Sequence, residues 1–280
     1  MEWLTSHPLP IGEGANAAVD WLTNNFTWFF NWLSNVLSAI INAMLWTLET
    51  PHPFIVIAVI AALSFAVRRS IPITLFTILG LLLIVNLGYW KETTETLSLV
   101  VAATLVCMVI GVPIGIAAAR RRWVYAIARP ILDLMQTIPT FVYLIPALIL
   151  FGLGMVPGLV ATVVFAVPAP VRLTRLGIVS TPSSLVEAAE AFGATPWQVL
   201  TKIELPYAMP QIMAGLTQTI MLSLSMVVIA ALVGADGLGV PVLRALSSMD
   251  VAKGFESGLC IVILAIILDR FFRVSEEGRS

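Results

Sequence analysis

The chain has 280 residues, of which 59% are hydrophobic and 11% are charged, whereas a soluble domain carries about 25% charged residues. Fifteen basic and 16 acidic side chains cannot cover a fold of this length with polar surface, so a soluble globular protein is excluded. The formal net charge of −1 and the lack of a basic patch also exclude a nucleic-acid-binding protein.

The N-terminal segment at residues 20–48 alternates polar and apolar residues with helical spacing. The polar positions form one face and are Asn24, Thr27, Asn31, Asn35, Ser38 and Asn42. Four tryptophans accompany them, and tryptophan is enriched at the headgroup level of membranes. We therefore predict an amphipathic helix lying in the outer membrane interface, with an additional membrane span as the alternative.

Seven apolar stretches follow, and a membrane-spanning helix requires about 20 apolar residues. They lie at 53–67, 71–90, 95–119, 130–152, 157–179, 208–233 and 255–272. We predict an all-α, polytopic transmembrane helix bundle of about seven spans plus the N-terminal interfacial helix. Residues 1–50 form the periplasmic or interfacial segment, 51–92 two accessory transmembrane helices, and 93–275 the main transmembrane domain.

The basic residues are distributed unevenly between the two sides of this seven-span arrangement. Twelve fall on one side, namely Arg68, Arg69, Arg120, Arg121, Arg122, Arg129, Arg172, Arg175, Lys202, Arg270, Arg273 and Arg279, and three on the other. Cytoplasmic loops are enriched in Lys and Arg because these residues translocate poorly. The C-terminus is therefore predicted to be cytoplasmic and the N-terminus, which lacks Lys and Arg through residue 51, periplasmic.

Residues 180–207 form the longest predicted cytoplasmic loop. Its first helix is expected to begin either at Thr181–Pro182 or at a capping box formed by Ser184 and Glu187. Gly193 is expected to end this helix in a left-handed conformation.

A second short helix is expected to start at Thr195, with Gln198 completing a capping box, and to end at Leu205–Pro206. From spacing alone, an ordered connection without a partner explains this loop as well as a functional element does. By contrast, residues 234–254 are expected to form an external loop, because of their GADGLG run and the charges that follow it.

Residues 187–206 read EAAEAFG, nine residues, then IELP. This segment resembles the EAA motif of the permeases of bacterial ABC importers. The positions that carry the resemblance are Glu187, Ala188, Ala189, Gly193, Ile203, Leu205 and Pro206. The resemblance implies that the loop docks on a dimer of separate ATPase subunits and transmits their movement.

None of the three lysines of the chain is followed by Ser or Thr, so the chain has no P-loop for nucleotide phosphates. We therefore expect no cofactor in this chain, with ATP and Mg²⁺ bound by the partner ATPase. The chain is not expected to be an enzyme, because no nucleophile–base pair or metal cluster is evident. Cys107, Cys260, His7 and His52 are too scattered for a metal site.

From residue 93 to 272 the chain resembles the permeases of glycine betaine, proline betaine and choline importers. The resemblance is carried by LDLMQTIPTFVYLIPALILFGLG at 132–154, VPAPVRLTRLGI at 167–178 and LSMVVIA at 224–230. It implies a permease of the bacterial inner membrane that imports choline or glycine betaine. It also implies a periplasmic substrate-binding protein and a second permease copy, most simply an identical one.

A candidate translocation path follows the fourth predicted span, where polar residues recur on one helical face. It consists of Gln136, Thr137, Thr140, Phe141 and Tyr143, with Gln218 added from the sixth span. Hydrogen bonds that join helices explain these residues equally well. Pro139 is expected to kink the span.

Four charged residues near this path are expected to have structural roles. Asp133 has the spacing for an ion pair with Arg129. Arg172 and Arg175 are expected to anchor their helix to anionic lipid headgroups.

Two other functions are compatible with parts of the pattern. An ABC permease for another small polar solute, such as an amino acid, would carry the same loop. An ion-coupled secondary transporter is disfavoured because its spans normally contain acidic or histidine residues, which are nearly absent here.

Overall fold

The structure, a computed structural model, describes residues 11–272, and within this range the chain is helical without a β-strand. His7, Arg273 and Arg279 lie outside the described residues. The α-helices in this range are α1 (Ile11–Glu49), α2 (Pro53–Arg68), α3 (Ile71–Asn86), α4 (Trp90–Arg120), α5 (Arg122–Thr137), α6 (Thr140–Phe151), α7 (Met155–Ala166), α8 (Pro168–Val179), α9 (Ser183–Ala191), α10 (Pro196–Val199), α11 (Leu205–Ala231), α12 (Gly239–Ser248) and α13 (Val251–Phe272).

The predicted helical membrane bundle is confirmed, whereas the count of seven spans is approximate. Within residues 11–272, five helical segments are long and apolar enough to cross a membrane, or six with the bent pair α5–α6. The five are α1, α4, the run α7–α8, the run α10–α11, and α13. The accessory helices α2 and α3 have only 16 residues each, about 24 Å of helix against about 30 Å of hydrocarbon.

The centre of the bundle is a close packing of α8 between α4 and α11. A Cβ atom built on Gly115 of α4 would lie 2.8 Å from the carbonyl oxygen of Val171. On the other side of α8, a Cβ atom on Gly177 would lie 2.9 Å from the Cβ of Ala208 in α11. Small residues allow membrane helices to approach closely, so the three helices form one tightly packed unit.

The fourth predicted span is not one straight helix. It divides into α5 and α6, whose axes differ by 98°. Pro139 lacks a backbone N–H and forces the preceding residue out of the helical conformation; Ile138 accordingly has φ −67° and ψ 129°. The kink we expected at Pro139 is therefore present, but it is large enough to turn α5 away from the axis of α6.

Helix α1 extends over 39 residues with a kink at Phe26, where φ is −122° and ψ is 20°. Its tryptophans are exposed, with Trp28 at 70% and Trp46 at 71%. The polar face predicted for it is also largely exposed. The opposite side of the helix supplies the packing surface, through the buried residues Leu37 and Ile41.

The contacts of α1 favour a helix that crosses one end of the bundle. Phe30 packs against Phe151, at the last residue of α6, with ring centroids 5.6 Å apart. Glu49 accepts a hydrogen bond of 3.2 Å from Thr94, in the first turns of α4. Residues 30 and 49 are separated by about 28 Å of helix, yet both contact the same end of the bundle. Because α1 is also long and apolar enough to cross a membrane, its interfacial position stays a prediction, with a membrane span as the alternative.

That end of the bundle also contains a helix that the sequence did not predict. The segment expected to be an external loop includes the ten-residue helix α12. It is held to α4 by Thr96, whose Oγ1 accepts a 2.8 Å hydrogen bond from the Leu238 amide. Gly237 has φ +127° and passes so close to Thr96 that a side chain would collide with it.

Replacing Gly115 with Ala is expected to destabilise the α4–α8 contact. The new methyl group would meet backbone that cannot move aside, and overpacking of this kind costs about 1–3 kcal/mol. The apparent melting temperature of the purified protein in detergent should fall.

The matched control is Gly258→Ala in α13, where a Cβ atom would have nothing within 4 Å. This replacement should leave the melting temperature unchanged or raise it, because Ala favours helix over Gly by about 1 kcal/mol. Equal melting temperatures for the two variants would contradict the close packing described for α8.

Candidate functional site

The loop at 180–207 begins with helix α9. This helix starts at Ser183, directly after Pro182, and neither cap predicted for it forms a side-chain hydrogen bond. Gly193 has φ +80°, as predicted, and its amide donates a 2.9 Å hydrogen bond to the carbonyl of Glu190. The left-handed residue therefore ends α9 and turns the chain toward α10.

Helix α10 begins with the predicted capping box. The amide of Thr195 donates to Oε1 of Gln198 at 2.8 Å, and the amide of Gln198 donates to Oγ1 of Thr195 at 3.4 Å. Two otherwise unpaired donors at the helix start are satisfied by this reciprocal pair.

The predicted end of the second loop helix at Leu205–Pro206 is wrong. Residues Leu200–Glu204 form a π-turn that continues directly into α11, and the Leu205 amide donates to the carbonyl of Leu200. Pro206 has no amide hydrogen, and its ring would clash with a carbonyl in a regular helix. The wider π-turn accommodates it, so the loop and α11 form one helical run over Pro196–Ala231.

The base of the loop is fixed to the bundle in two ways. Leu200 is buried in an apolar cluster with Ile178 of α8 and Ile212 of α11. Arg120, the last residue of α4, contacts Glu204 at 2.6 Å and donates to the carbonyl of Pro196 at 3.2 Å. Sequence reasoning missed this ion pair because its partners lie 84 residues apart.

The tip of the loop exposes large apolar side chains. Phe192 is 93% exposed, Trp197 70% and Leu185 47%. Glu187 and Glu190 make no side-chain ion pair or hydrogen bond with any residue in the range 11–272. Exposed aromatic residues near unpaired charges are typical of a surface that binds another protein.

Phe192 and Trp197 were not among the predicted site residues, although two large apolar residues in a polar loop were a visible signal. The seven motif residues are brought together in this loop. Glu187, Ala188, Gly193 and Pro206 are exposed, whereas Ala189, Ile203 and Leu205 are partly buried.

The polar residues proposed for the translocation path do not form the single face we predicted. Gln136 and Thr137 lie on α5, whereas Thr140, Phe141 and Tyr143 lie on α6, beyond the 98° bend. Phe141 is 57% exposed. The side chain of Tyr143 packs against α7 and α11, and its hydroxyl group is buried without a hydrogen bond.

Gln136 forms part of a contact between α5 and α8 that involves two arginines. Arg172 donates to Oε1 of Gln136 at 2.6 Å and to Oδ1 of Asp133 at 2.7 Å. The predicted pair between Arg129 and Asp133 is present but longer, at 3.9 Å. The guanidinium carbon of Arg175 lies 3.5 Å from the ring centroid of Tyr125. Both α8 arginines therefore contact α5, instead of reaching freely for lipid headgroups as we expected.

A polar cavity of about 410 Å³ lies at the opposite end of the bundle, between α4, α12 and α13. Charged side chains of both signs line it, namely Lys91, Glu92, Glu95, Asp236, Arg244 and Lys253. Polar groups are stable where water can reach them. Both ends of the bundle therefore carry charged groups, and the apolar length between them is suited to lipid.

Comparison with known proteins agrees with this architecture. Residues 111–279 match the family described as "Binding-protein-dependent transport system inner membrane component". The chain is similar to the glycine betaine/carnitine transport permease protein GbuB of Listeria monocytogenes, with 48% identity over 94% of both chains.

The chain is also similar to the glycine betaine transport system permease protein OpuAB of Bacillus subtilis, with 47% identity over 97% of both chains. The glycine betaine/proline betaine permease protein ProW of Escherichia coli is 43% identical, over 100% of this chain and 74% of that protein. These relatives are transport permease proteins and not enzymes.

The fold is also similar to a chain in the solved structure of the inward-facing MetNI methionine ABC transporter. The TM-score is 0.56 and the identity 26%, over 64% of this chain and 92% of the other. The matched family model and the full-length relatives lead to one conclusion: this protein belongs to the inner-membrane permease components of binding-protein-dependent transport systems.

Proposed function

We propose that this chain is the permease subunit of an ATP-driven importer that moves a quaternary ammonium compound, glycine betaine or choline, across the bacterial inner membrane. One observation carries the proposal: a loop with exposed aromatic residues stands on a rigid base that is continuous with a membrane helix. Relatives at 43–48% identity are glycine betaine permeases, which supports this substrate class.

The loop is the docking element for a dimer of ATPase subunits, which bind the ATP and Mg²⁺. Glu187, Ala188, Ala189, Gly193, Ile203, Leu205 and Pro206 form its framework. Phe192 and Trp197 supply the apolar contact, since large exposed aromatics contribute most of the binding energy in many interfaces. The run from α10 into α11 then carries the displacement of the loop into the membrane without an intervening joint.

A second copy of the chain completes the path for the substrate. Gln211, Gln218 and Ser225 recur every seven residues on the exposed face of α11. Gln211 and Gln218 make no side-chain hydrogen bond among the described residues, and polar side chains facing lipid are unfavourable. A partner related by a twofold axis would enclose this face.

The same path includes the predicted residues Gln136, Thr137, Thr140 and Phe141, whereas Tyr143 packs against α7 and α11 and is left out of it. The exposed ring of Phe141 supplies a surface for a quaternary ammonium group, because aromatic faces attract such cations without a counter-charge. A periplasmic substrate-binding protein would deliver the substrate to the end of the bundle that contains α12.

The loop side is assigned to the cytoplasm and the side of α1 and α12 to the periplasm. The distribution of basic residues supports this orientation. The division into an interfacial segment at 1–50, two accessory helices at 51–92 and a transport domain at 93–275 follows the same assignment. Membrane lipid surrounds α2 and α3.

Loss of the two exposed loop aromatics should weaken ATPase docking without unfolding the permease. Each aromatic in such an interface contributes about 2 kcal/mol, so Phe192→Ala combined with Trp197→Ala should reduce ATPase co-purification by more than tenfold. Phe54→Ala, at a residue of α2 that is 58% exposed, is the matched control and should bind normally. Undiminished co-purification of the double variant would exclude this docking surface.

The orientation is tested by cysteine labelling. Cys107 and Cys260 are each 0% exposed, so background labelling should be low. A membrane-impermeant maleimide should label Ser247→Cys in intact spheroplasts and Ala191→Cys only after permeabilisation. The reverse pattern would place the loop outside the cytoplasm.

The substrate is tested by reconstitution into proteoliposomes with the ATPase and binding-protein partners. Radiolabelled glycine betaine or choline should accumulate with ATP and not with a non-hydrolysable analogue. Methionine is the competing substrate, because the fold is similar to that of a methionine transporter chain. Accumulation of methionine alone would support the amino-acid alternative, and uptake without ATP would exclude an ATP-driven importer.

A further inference from the structure

Helix α5 is attached to the bundle by fewer buried residues than its neighbours α4 and α8. Leu132 is its only buried residue, and the bend at Ile138–Pro139 separates its direction from that of α6 by 98°. Apolar packing holds α5 along one short stripe, in which the partly buried residues Ala128 and Met135 lie beside Leu132. Its polar contacts with α8 make up much of the remaining attachment.

These polar contacts form a set that we call the α5–α8 clasp, and it consists of Tyr125, Asp133, Gln136, Arg172 and Arg175. Arg172 uses two nitrogens of its guanidinium fork, one for Gln136 at 2.6 Å and one for Asp133 at 2.7 Å. Arg175 lies about one turn further along α8 and covers the ring of Tyr125 at 3.5 Å. The arginines of α8 therefore contact α5 at two positions along its length.

Helix α8 is connected to the loop at both of the loop's ends. Its last residue, Val179, precedes the first residue of α9, Ser183, by only a short link. Gly177 packs against Ala208, in the part of α11 that follows the loop. A displacement of the loop consequently moves α8, and α8 holds the arginines of the clasp.

We propose that the α5–α8 clasp transmits the movement of the loop to α5 and, across the bend at Ile138–Pro139, to α6. This inference rests on the proposed function, because it requires an ATPase that moves the loop. Arg172 and Asp133 are its main positioning residues. They act on the substrate path through α5 and α6 and not by contact with the substrate.

The chemistry of the clasp suits a contact that opens and closes in each cycle. The side chain of Asp133 is 54% exposed and that of Arg172 is 40% exposed, so water can replace either partner when they separate. Partly exposed ion pairs are weak compared with the packing of a core. A planar guanidinium nevertheless restores a defined geometry when it re-engages, because its two donors fix direction as well as distance.

Two mild replacements separate this role from simple helix packing. Arg172→Lys keeps the charge and loses the fork, and Asp133→Asn keeps the size and loses the charge. Arg122→Gln is the matched control, since Arg122 lies on the same helix and has no ion pair among residues 11–272. Each variant is reconstituted with the ATPase and binding protein, and ATP hydrolysed per glycine betaine transported is measured.

Both clasp variants should keep ATP hydrolysis that is stimulated by the loaded binding protein, while the ATP consumed per glycine betaine rises at least fivefold. The Arg122→Gln complex should stay within twofold of wild type. Combining Arg172→Glu with Asp133→Arg reverses the ion pair and should return the ratio to within about twofold of wild type. If Arg172→Lys does not assemble, Asp133→Asn still tests the proposal, because its side chain lies at the surface.

If the wild-type complex transports glycine betaine with ATP and Asp133→Asn does not change the ATP consumed per glycine betaine, the role of the clasp is overturned. The proposed function then still stands. A parallel loss of hydrolysis and uptake at a constant ratio would also overturn the role of the clasp, because that is the result of a purely structural contact. A wild-type complex that carries glycine betaine without ATP would overturn the proposed function and, with it, the clasp.

Discussion

The close packing of α8 between α4 and α11 is the constraint on which the other features depend. Glycines at these contacts allow the helix backbones to pack directly against each other, so the helices cannot slide or separate independently. Gly115 brings α4 against the backbone of α8, and Gly177 brings α8 against α11. Because the loop leaves the bundle from α8 and returns into α11, its two ends are held by one compact unit.

Two prolines lie at the points where the helices of the bundle either continue or break. Pro206 falls in a helical run that stays continuous because the preceding residues widen into a π-turn. Pro139 follows a residue in an extended conformation, and the chain bends by 98° there. The loop is therefore continuous with α11 in one helical run, whereas the helix is interrupted between α5 and α6.

This arrangement assigns different physical roles to neighbouring surfaces. The tip of the loop exposes aromatic side chains, its base is fixed by Arg120 and an apolar cluster, and α5 is held partly by polar contacts with α8. Rigid elements transmit displacement, and weakly held elements respond to it. An importer that borrows its energy from a separate ATPase needs both kinds of element.

Local pattern in the sequence determined the membrane class, the helical fold, the Thr195 capping box and the left-handed Gly193, because each follows from hydropathy or short-range backbone chemistry. It also identified the loop motif. Only the tertiary structure decided how far Pro139 bends the chain, that Arg172 binds Gln136, that Arg120 meets Glu204, and that Phe192 is exposed. Those features depend on contacts between residues far apart in the chain, which the hydropathy and spacing of one sequence do not specify.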